Sequence, residues 1–129
     1  MPIARLRAVT LDCADPPALA RFYHELTGME IAYSEESFAG LTGGPGSDIG
    51  LQKVEDYRAP QWPQQSVPQQ FHLDFGVSDL DVAEKEAVAL GAVTPDHQPG
   101  GDRWRVLLDP AGHPFCITPF APPPELLGD

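Results

Sequence analysis

His72 and Asp74 stand two residues apart in QFHLDFGV, a run whose apolar and polar residues alternate as in a β-strand. Side chains at i and i+2 leave a strand on one face, so the imidazole, the carboxylate and Gly76 share a side. The opening run RLRAVTLDC sets Ala8, Thr10 and Asp12 on one face in the same way. An imidazole and a carboxylate on one strand face, or a carboxylate beside a hydroxyl on the other, could bind a polar ligand or move protons. A plainer reading of the same residues is that Asp12 and Asp74, near their strand ends, bond loop amides, and that His72 is a satisfied core histidine.

The remaining reactive side chains give weaker signals. Cys116 has no paired base at any recognisable spacing, so nothing marks it as a nucleophile. Cys13 alternates with Asp12 and should point into the core as a small apolar residue. His24 falls on the outer side of a helix, His97 in a loop beside Pro99 and Gly100, and His113 in the turn DPAGHPF. Trp104 and Arg105 are neighbours on a strand and must point opposite ways. If Arg105 faces a cavity an anionic ligand is favoured, and if Trp104 does, an aromatic or cationic one. Gly43 to Gly46 does not open a helix after a strand and reads as a turn, not a phosphate loop.

The elements that must position these groups fall into two similar halves. A strand over residues 5–13 leads to Asp15 at an N-cap and Pro16 at the first helical position. Leu19, Phe22, Tyr23 and Leu26 then form the apolar stripe of a helix over 16–27, closed by Gly28 at the C′ position. Strands are expected at 29–34, 37–41 and 49–54. The second half repeats the plan: a strand at 70–77, Ser78 or Asp79 as cap, and a helix over 79–90. The stripe of that helix is Leu80, Ala83, Ala87 and Leu90, its surface pair is Asp81 with Lys85, and Gly91 ends it. Strands at 92–94, 104–108 and 115–118 complete it, so each half reads β-α-β-β-β. Gly28 and Gly91 should both take positive φ. The echo extends to TLDCAD and HLDFGV, at an offset of 62 between the Leu-Asp pairs and 63 between the closing glycines. Residues 55–69 form a Pro- and Gln-rich connector, and the tail APPPELLGD should be extended or disordered.

The chain has 129 residues, enough for one domain, and 42% of them are apolar, which supports a packed core. Its 8 basic and 19 acidic residues give a net charge of −11, which opposes binding to nucleic acid or to an anionic membrane surface. That balance serves solubility and is compatible with a cationic ligand. No apolar run reaches the length of a membrane span and no signal-peptide core precedes the first strand. With only two cysteines there is no disulfide framework, and the expected setting is the cytoplasm with reduced thiols.

Three segments, taken together and in order, resemble the glyoxalase/bleomycin-resistance/dioxygenase, or vicinal oxygen chelate, superfamily. They are LDCADPPALARFYHELTGMEI, FHLDFGVSDLDVAEKEAVALGA and VLLDPAGHPFCI. The connector around Trp62 and the H-x-D strand of His72 and Asp74 are similar to the glyoxalase-like branch. The resemblance implies an α+β fold in which two paired βαβββ modules, about 1–54 and 70–120, form a single domain. Their curled mixed sheets would enclose a cavity. In metal-dependent relatives four side chains project into that cavity and hold a divalent ion that polarises the vicinal oxygens of a substrate. Carried over, those positions fall on Ala8, on or beside Gln52, on His72 and on Cys116. Ala8 cannot bind metal, Gln52 is a neutral donor, and Cys116 stands where glutamate is usual, so the ligand set is degenerate.

The resemblance therefore implies a protein that binds or transforms a small oxygenated metabolite, with lyase or dioxygenase-type chemistry as the enzymatic possibility. The alternative is a metal-free protein that sequesters a drug-like compound, as bleomycin-resistance proteins do. The ligand-binding, cavity-facing residues are expected to be His72, Asp74, Gln52, Cys116, Thr10, Asp12 and Trp104. No cofactor is expected, and a divalent ion at Gln52, His72 and Cys116 is not expected at full occupancy. A homodimer is expected, since curved open sheets commonly complete their edges with a second copy.

Overall fold

A computed structural model describes residues 8–43, 48–69 and 72–119, and backbone contacts divide the chain into two compact units, Met1–Tyr57 and Arg58–Asp129. The start of the first expected strand, residues 44–46 of the glycine-rich turn, residues 70 and 71, and the tail lie outside the described residues. Among the described residues, no helix is long and apolar enough to cross a membrane.

The first unit runs β1 (Ala8–Cys13), α1 (Pro16–Thr27), β2 (Glu30–Ser34), β3 (Phe38–Thr42) and β4 (Asp48–Lys53), a complete βαβββ module. Its four-stranded sheet has the order β1-β4-β3-β2, with β1 and β4 parallel and the other pairs antiparallel. Helix α1 begins where Asp15 accepts a hydrogen bond from the Ala18 amide at 3.2 Å, satisfying one of the free N–H groups of the first turn. It ends at Gly28, whose φ of 78° is the left-handed conformation a side chain would oppose by about 1 kcal/mol. Leu19, Phe22 and Tyr23 from the apolar stripe are buried, together with Leu11 and Cys13 of β1 and Leu41, Ile49 and Leu51 of the neighbouring strands. Ala8, Thr10 and Asp12 alternate with that core, and all three are exposed.

The second unit repeats that order less one strand, with β5 (Leu73–Gly76), α2 (Leu80–Leu90), β6 (Arg105–Leu108) and β7 (Pro114–Thr118). The sheet order is β5-β7-β6, with β5 parallel and β6 antiparallel to β7. Of the two candidate caps, Asp79 is the one that caps α2, accepting from the Val82 amide at 3.0 Å, and the helix closes at Gly91 with φ of 121°. Leu80 and Ala87 are its buried residues. Asp81, expected to pair with Lys85, is ion-paired instead with Arg105 of β6 at 3.2 Å.

The expected strand at 92–94 is reduced to a single bridge between Val93 and Leu108. Val93 and Leu108 exchange both backbone hydrogen bonds, so the next exchanging pair would be Pro95 with Val106. Proline has no N–H to give. The side-chain amide of Gln98 takes that place: its Nε2 donates to the Val106 carbonyl at 2.9 Å, and its Oε1 accepts from the Val106 amide at 2.9 Å. The same Nε2 reaches the Pro95 carbonyl at 3.0 Å. A side chain thus replaces one rung of the sheet, and chain 96–104 is freed to form the loop that carries Pro99, Gly100 and Trp104.

Candidate functional site

A recess of about 200 Å³ lies within the second unit, lined by Trp62, Gln69, His72, Pro99, Trp104, Val106, Pro114 and Cys116. Its floor is the sheet face that holds Val106 and Cys116, which stand opposite each other in the β6–β7 pair. The strand β5 supplies the polar end. Asp74 stands opposite Cys116, so the two side chains rise together on one face. Donor atoms of His72, Asp74 and Cys116 all lie within 4.8 Å of one another.

Within this cluster each group fixes its neighbour. The His72 Nδ1 lies 3.2 Å from Asp74 Oδ1, and a carboxylate can only accept, so the contact places a proton on Nδ1 and leaves Nε2 as an acceptor in the neutral ring. The Cys116 thiol donates to the same carboxylate. Burial pushes that thiol up to about 11, and the negative charge and hydrogen bond of Asp74 push in the same direction. Cys116 is therefore a neutral thiol at pH 7, 7% exposed, and not an activated nucleophile.

Each indole has close neighbours that position it. Trp62 comes from the irregular connector, is joined to Pro63 by a cis peptide, and lies 5.3 Å from the His97 ring between centroids. Trp104 sits so close to Gly100 that a Cβ there would collide with the indole, which is why glycine occupies the position. The guanidinium carbon of Arg103 lies 5.2 Å from the Trp104 ring centroid. Arg105 is turned away from the recess. It pairs with Asp81 and Glu84 of α2, and it holds the Glu84 carboxyl below its ordinary range. Helix α2 therefore settles which of Trp104 and Arg105 lines the recess.

Of the residues singled out in the sequence, His72, Cys116 and Trp104 line this recess and Asp74 joins their polar end. Thr10, Asp12 and Gln52 belong to the first unit and are not among the lining residues. There Asp12 stands opposite Gln52 and Thr10 opposite Gly50. By that register Asp12 and Gln52 match Asp74 and Cys116, and Thr10 is the counterpart of His72, two residues after the Ala8 position drawn from the resemblance. Trp62 and Gln69 were not identified as lining residues in the sequence. The first had a signal, since it is one of only two tryptophans in the chain. The second had none.

His24 and His113 serve structure. His24 Nδ1 lies 2.6 Å from the Met29 carbonyl past the end of α1. The buried carboxylate of Asp109 accepts from the amides of Ala111 at 2.8 Å and His113 at 3.0 Å, closing the β6–β7 turn.

The glyoxalase-like domain family matches residues 8–118, almost the whole of the described chain. The chain belongs to that family. Among solved structures, this glyoxalase-like domain is similar to a glyoxalase/bleomycin resistance protein/dioxygenase family enzyme from Burkholderia phytofirmans PsJN. The two are 29% identical, with 88% of this chain and 97% of that one covered and a TM-score of 0.67. A possible glyoxalase from Bacillus cereus is 16% identical over 91% of this chain and 99% of its own, with a TM-score of 0.66. The bleomycin-binding protein from bleomycin-producing Streptomyces verticillus, solved with copper(II)-bleomycin, is 19% identical, with coverage of 94% and 100% and a TM-score of 0.54. The last two likenesses speak to fold alone. No curated protein matches the chain in sequence.

Relatives in this superfamily often carry a divalent metal, and the donor set of the glyoxalase-like domain can be judged against one. Nitrogen, oxygen and sulfur donors from His72, Asp74 and Cys116 suit a borderline ion such as zinc, which accepts three protein ligands with a fourth position open. The third donor beside His72 and Cys116 is thus Asp74, where the sequence pointed to Gln52. Two features oppose tight binding: the Asp74 carboxylate is already engaged by His72 and Cys116, and the thiol must give up a strongly held proton.

Proposed function

We propose that the chain is a small-molecule-binding protein whose site is the recess of the second unit, taking a small, flat, oxygenated compound. The observation that carries this reading is the convergence of both tryptophans with His72, Gln69 and Cys116 on one recess. Indoles provide apolar area for a ring, and a few fixed polar groups at one end orient it. His72 Nε2, held as an acceptor by Asp74, meets a hydroxyl of the compound and is placed to take its proton. A bound divalent ion, held by His72, Asp74 and Cys116, would supply Lewis-acid polarisation of the compound's oxygen atoms.

Sequestration, as by the Streptomyces verticillus protein that binds bleomycin, is the second reading. It draws support from the unactivated thiol at Cys116, because a recess without a ready nucleophile suits holding a compound better than attacking it. We also infer a cytoplasmic homodimer, with exposed Tyr33 on the edge strand β2 near the contact. Light scattering at micromolar concentration should give twice the chain mass.

Native mass spectrometry of the purified protein tests the reading of the recess. A small-molecule adduct that is present on the natural chain and lost from Trp104→Ala and His72→Ala is the expected result. An adduct retained by both folded variants would place the site elsewhere.

A further inference from the structure

We propose that the recess selects a flat organic cation carrying N–H donors, of the amidinium, guanidinium or protonated heteroaromatic amine class. The inference rests on the reading of the recess as a small-molecule site and names the chemistry that site recognises.

Three observations converge on it. The first is an acceptor in need of a donor. Gln69 Oε1 is buried in the wall and has no hydrogen-bond partner among the described residues. A buried carbonyl oxygen is normally paired, so a ligand N–H or O–H that reaches it restores a hydrogen bond the free protein lacks. In the neutral ring His72 Nε2 is a second acceptor at the same recess, because the contact with the Asp74 carboxylate favours the tautomer with its proton on Nδ1. Two acceptors that face one ligand call for a ligand with at least two donors, and amidinium and guanidinium groups present them in one plane.

The second observation is the pair of indoles. The faces of Trp rings attract cations through the ring quadrupole. Trp104 already shows this preference within the protein, where the Arg103 guanidinium lies 5.2 Å from its centroid. A ligand cation would compete with that flexible surface side chain while gaining the acceptors Arg103 does not use.

The third is charge. No lysine or arginine is among the residues lining the recess, and the carboxylate of Asp74 stands at its polar end. The chain as a whole carries −11, a field that concentrates cations and repels anions. His97, whose ring lies 5.3 Å from that of Trp62 between centroids, is not among the lining residues.

Trp62 and Trp104 are the only tryptophans in the chain, so tryptophan emission, excited selectively over the three tyrosines, reports on this recess. The test is a titration of the full chain with benzamidine, benzamide and benzoate, which share one ring and differ in charge and donors. Benzamidine should change the emission saturably, benzamide more weakly, and benzoate at least about tenfold more weakly than benzamidine, the value of one charge-assisted hydrogen bond. Gln69→Leu should weaken benzamidine by a similar factor, while Gln69→Glu, which keeps an acceptor, should bind it at least as well as the natural chain. Benzoate binding as well as benzamidine, or a folded Gln69→Leu variant with unchanged benzamidine affinity, would overturn the cation proposal and leave the recess reading standing. No saturable change with any of the three would overturn both.

Discussion

Asp74 stands directly opposite Cys116 in the parallel β5–β7 pair, and its carboxylate receives both the Cys116 thiol and the Nδ1 of His72. One exposed carboxylate thus governs the two groups beside it. It fixes the tautomer of the imidazole and, after burial, is the main reason the thiol stays protonated.

That arrangement sets the reactivity of Cys116. With a thiol at about 11 against an ordinary value near 8.5, the thiolate fraction at pH 7 falls on the order of a hundredfold below that of an unfolded cysteine. In a Cys13→Ala background, alkylation by iodoacetamide should be slow at pH 7 and climb steadily up to about pH 11. Asp74→Asn should move the profile to lower pH. The sign of the linked stability follows: the folded state holds this proton more tightly, so the contribution is complete below about pH 8.5 and is lost as pH rises towards 11. An alkylation profile centred near pH 8.5 in the folded protein would show that Asp74 and burial do not control the thiol.

Gln98 should matter for stability more than an ordinary loop residue. Gln98→Ala removes two bonds to Val106, whose buried amide and carbonyl are then left without that partner. The expected loss is about 1–3 kcal/mol in urea unfolding, with an unchanged denaturant slope. A loss below about 0.5 kcal/mol would mean that water or the 92–95 backbone takes over the rung.

Much of this was legible in the sequence, and the reason is locality. Asp15, Asp79, Gly28 and Gly91 mark both helices because caps and positive-φ closures are decided within a few residues. The fold class followed from two such βα units at offsets of 62 and 63 residues. What the sequence did not show was decided at long range. Strand alternation gives a period but not a phase, so Trp104 and Arg105 stayed open until Asp81 and Glu84 of α2 claimed the arginine. Asp74 joins Cys116 through strand register, which no spacing between the two segments reveals. The lost strand at 92–94 had a visible cause in Pro95, but its replacement by a glutamine side chain did not. Gln69 enters the wall from a connector with no periodicity at all.

Metal content follows from the same cluster. The engaged carboxylate and the protonated thiol make ion binding weak at neutral pH, so protein purified without added metal should carry clearly less than one divalent ion per chain. Added cobalt should give a thiolate charge-transfer band that Cys116→Ser abolishes and that strengthens as pH rises. Elemental analysis showing about one ion per chain, lost in His72→Ala, would instead establish a resident metal.

The site itself is tested most directly by a crystal structure of the protein with a co-purified or added small molecule bound. The expected result is density in the second unit against Trp62 and Trp104, with polar atoms at His72 and Gln69. A recess filled by the protein's own side chains, or a compound bound only against Thr10, Asp12 and Gln52, would contradict it.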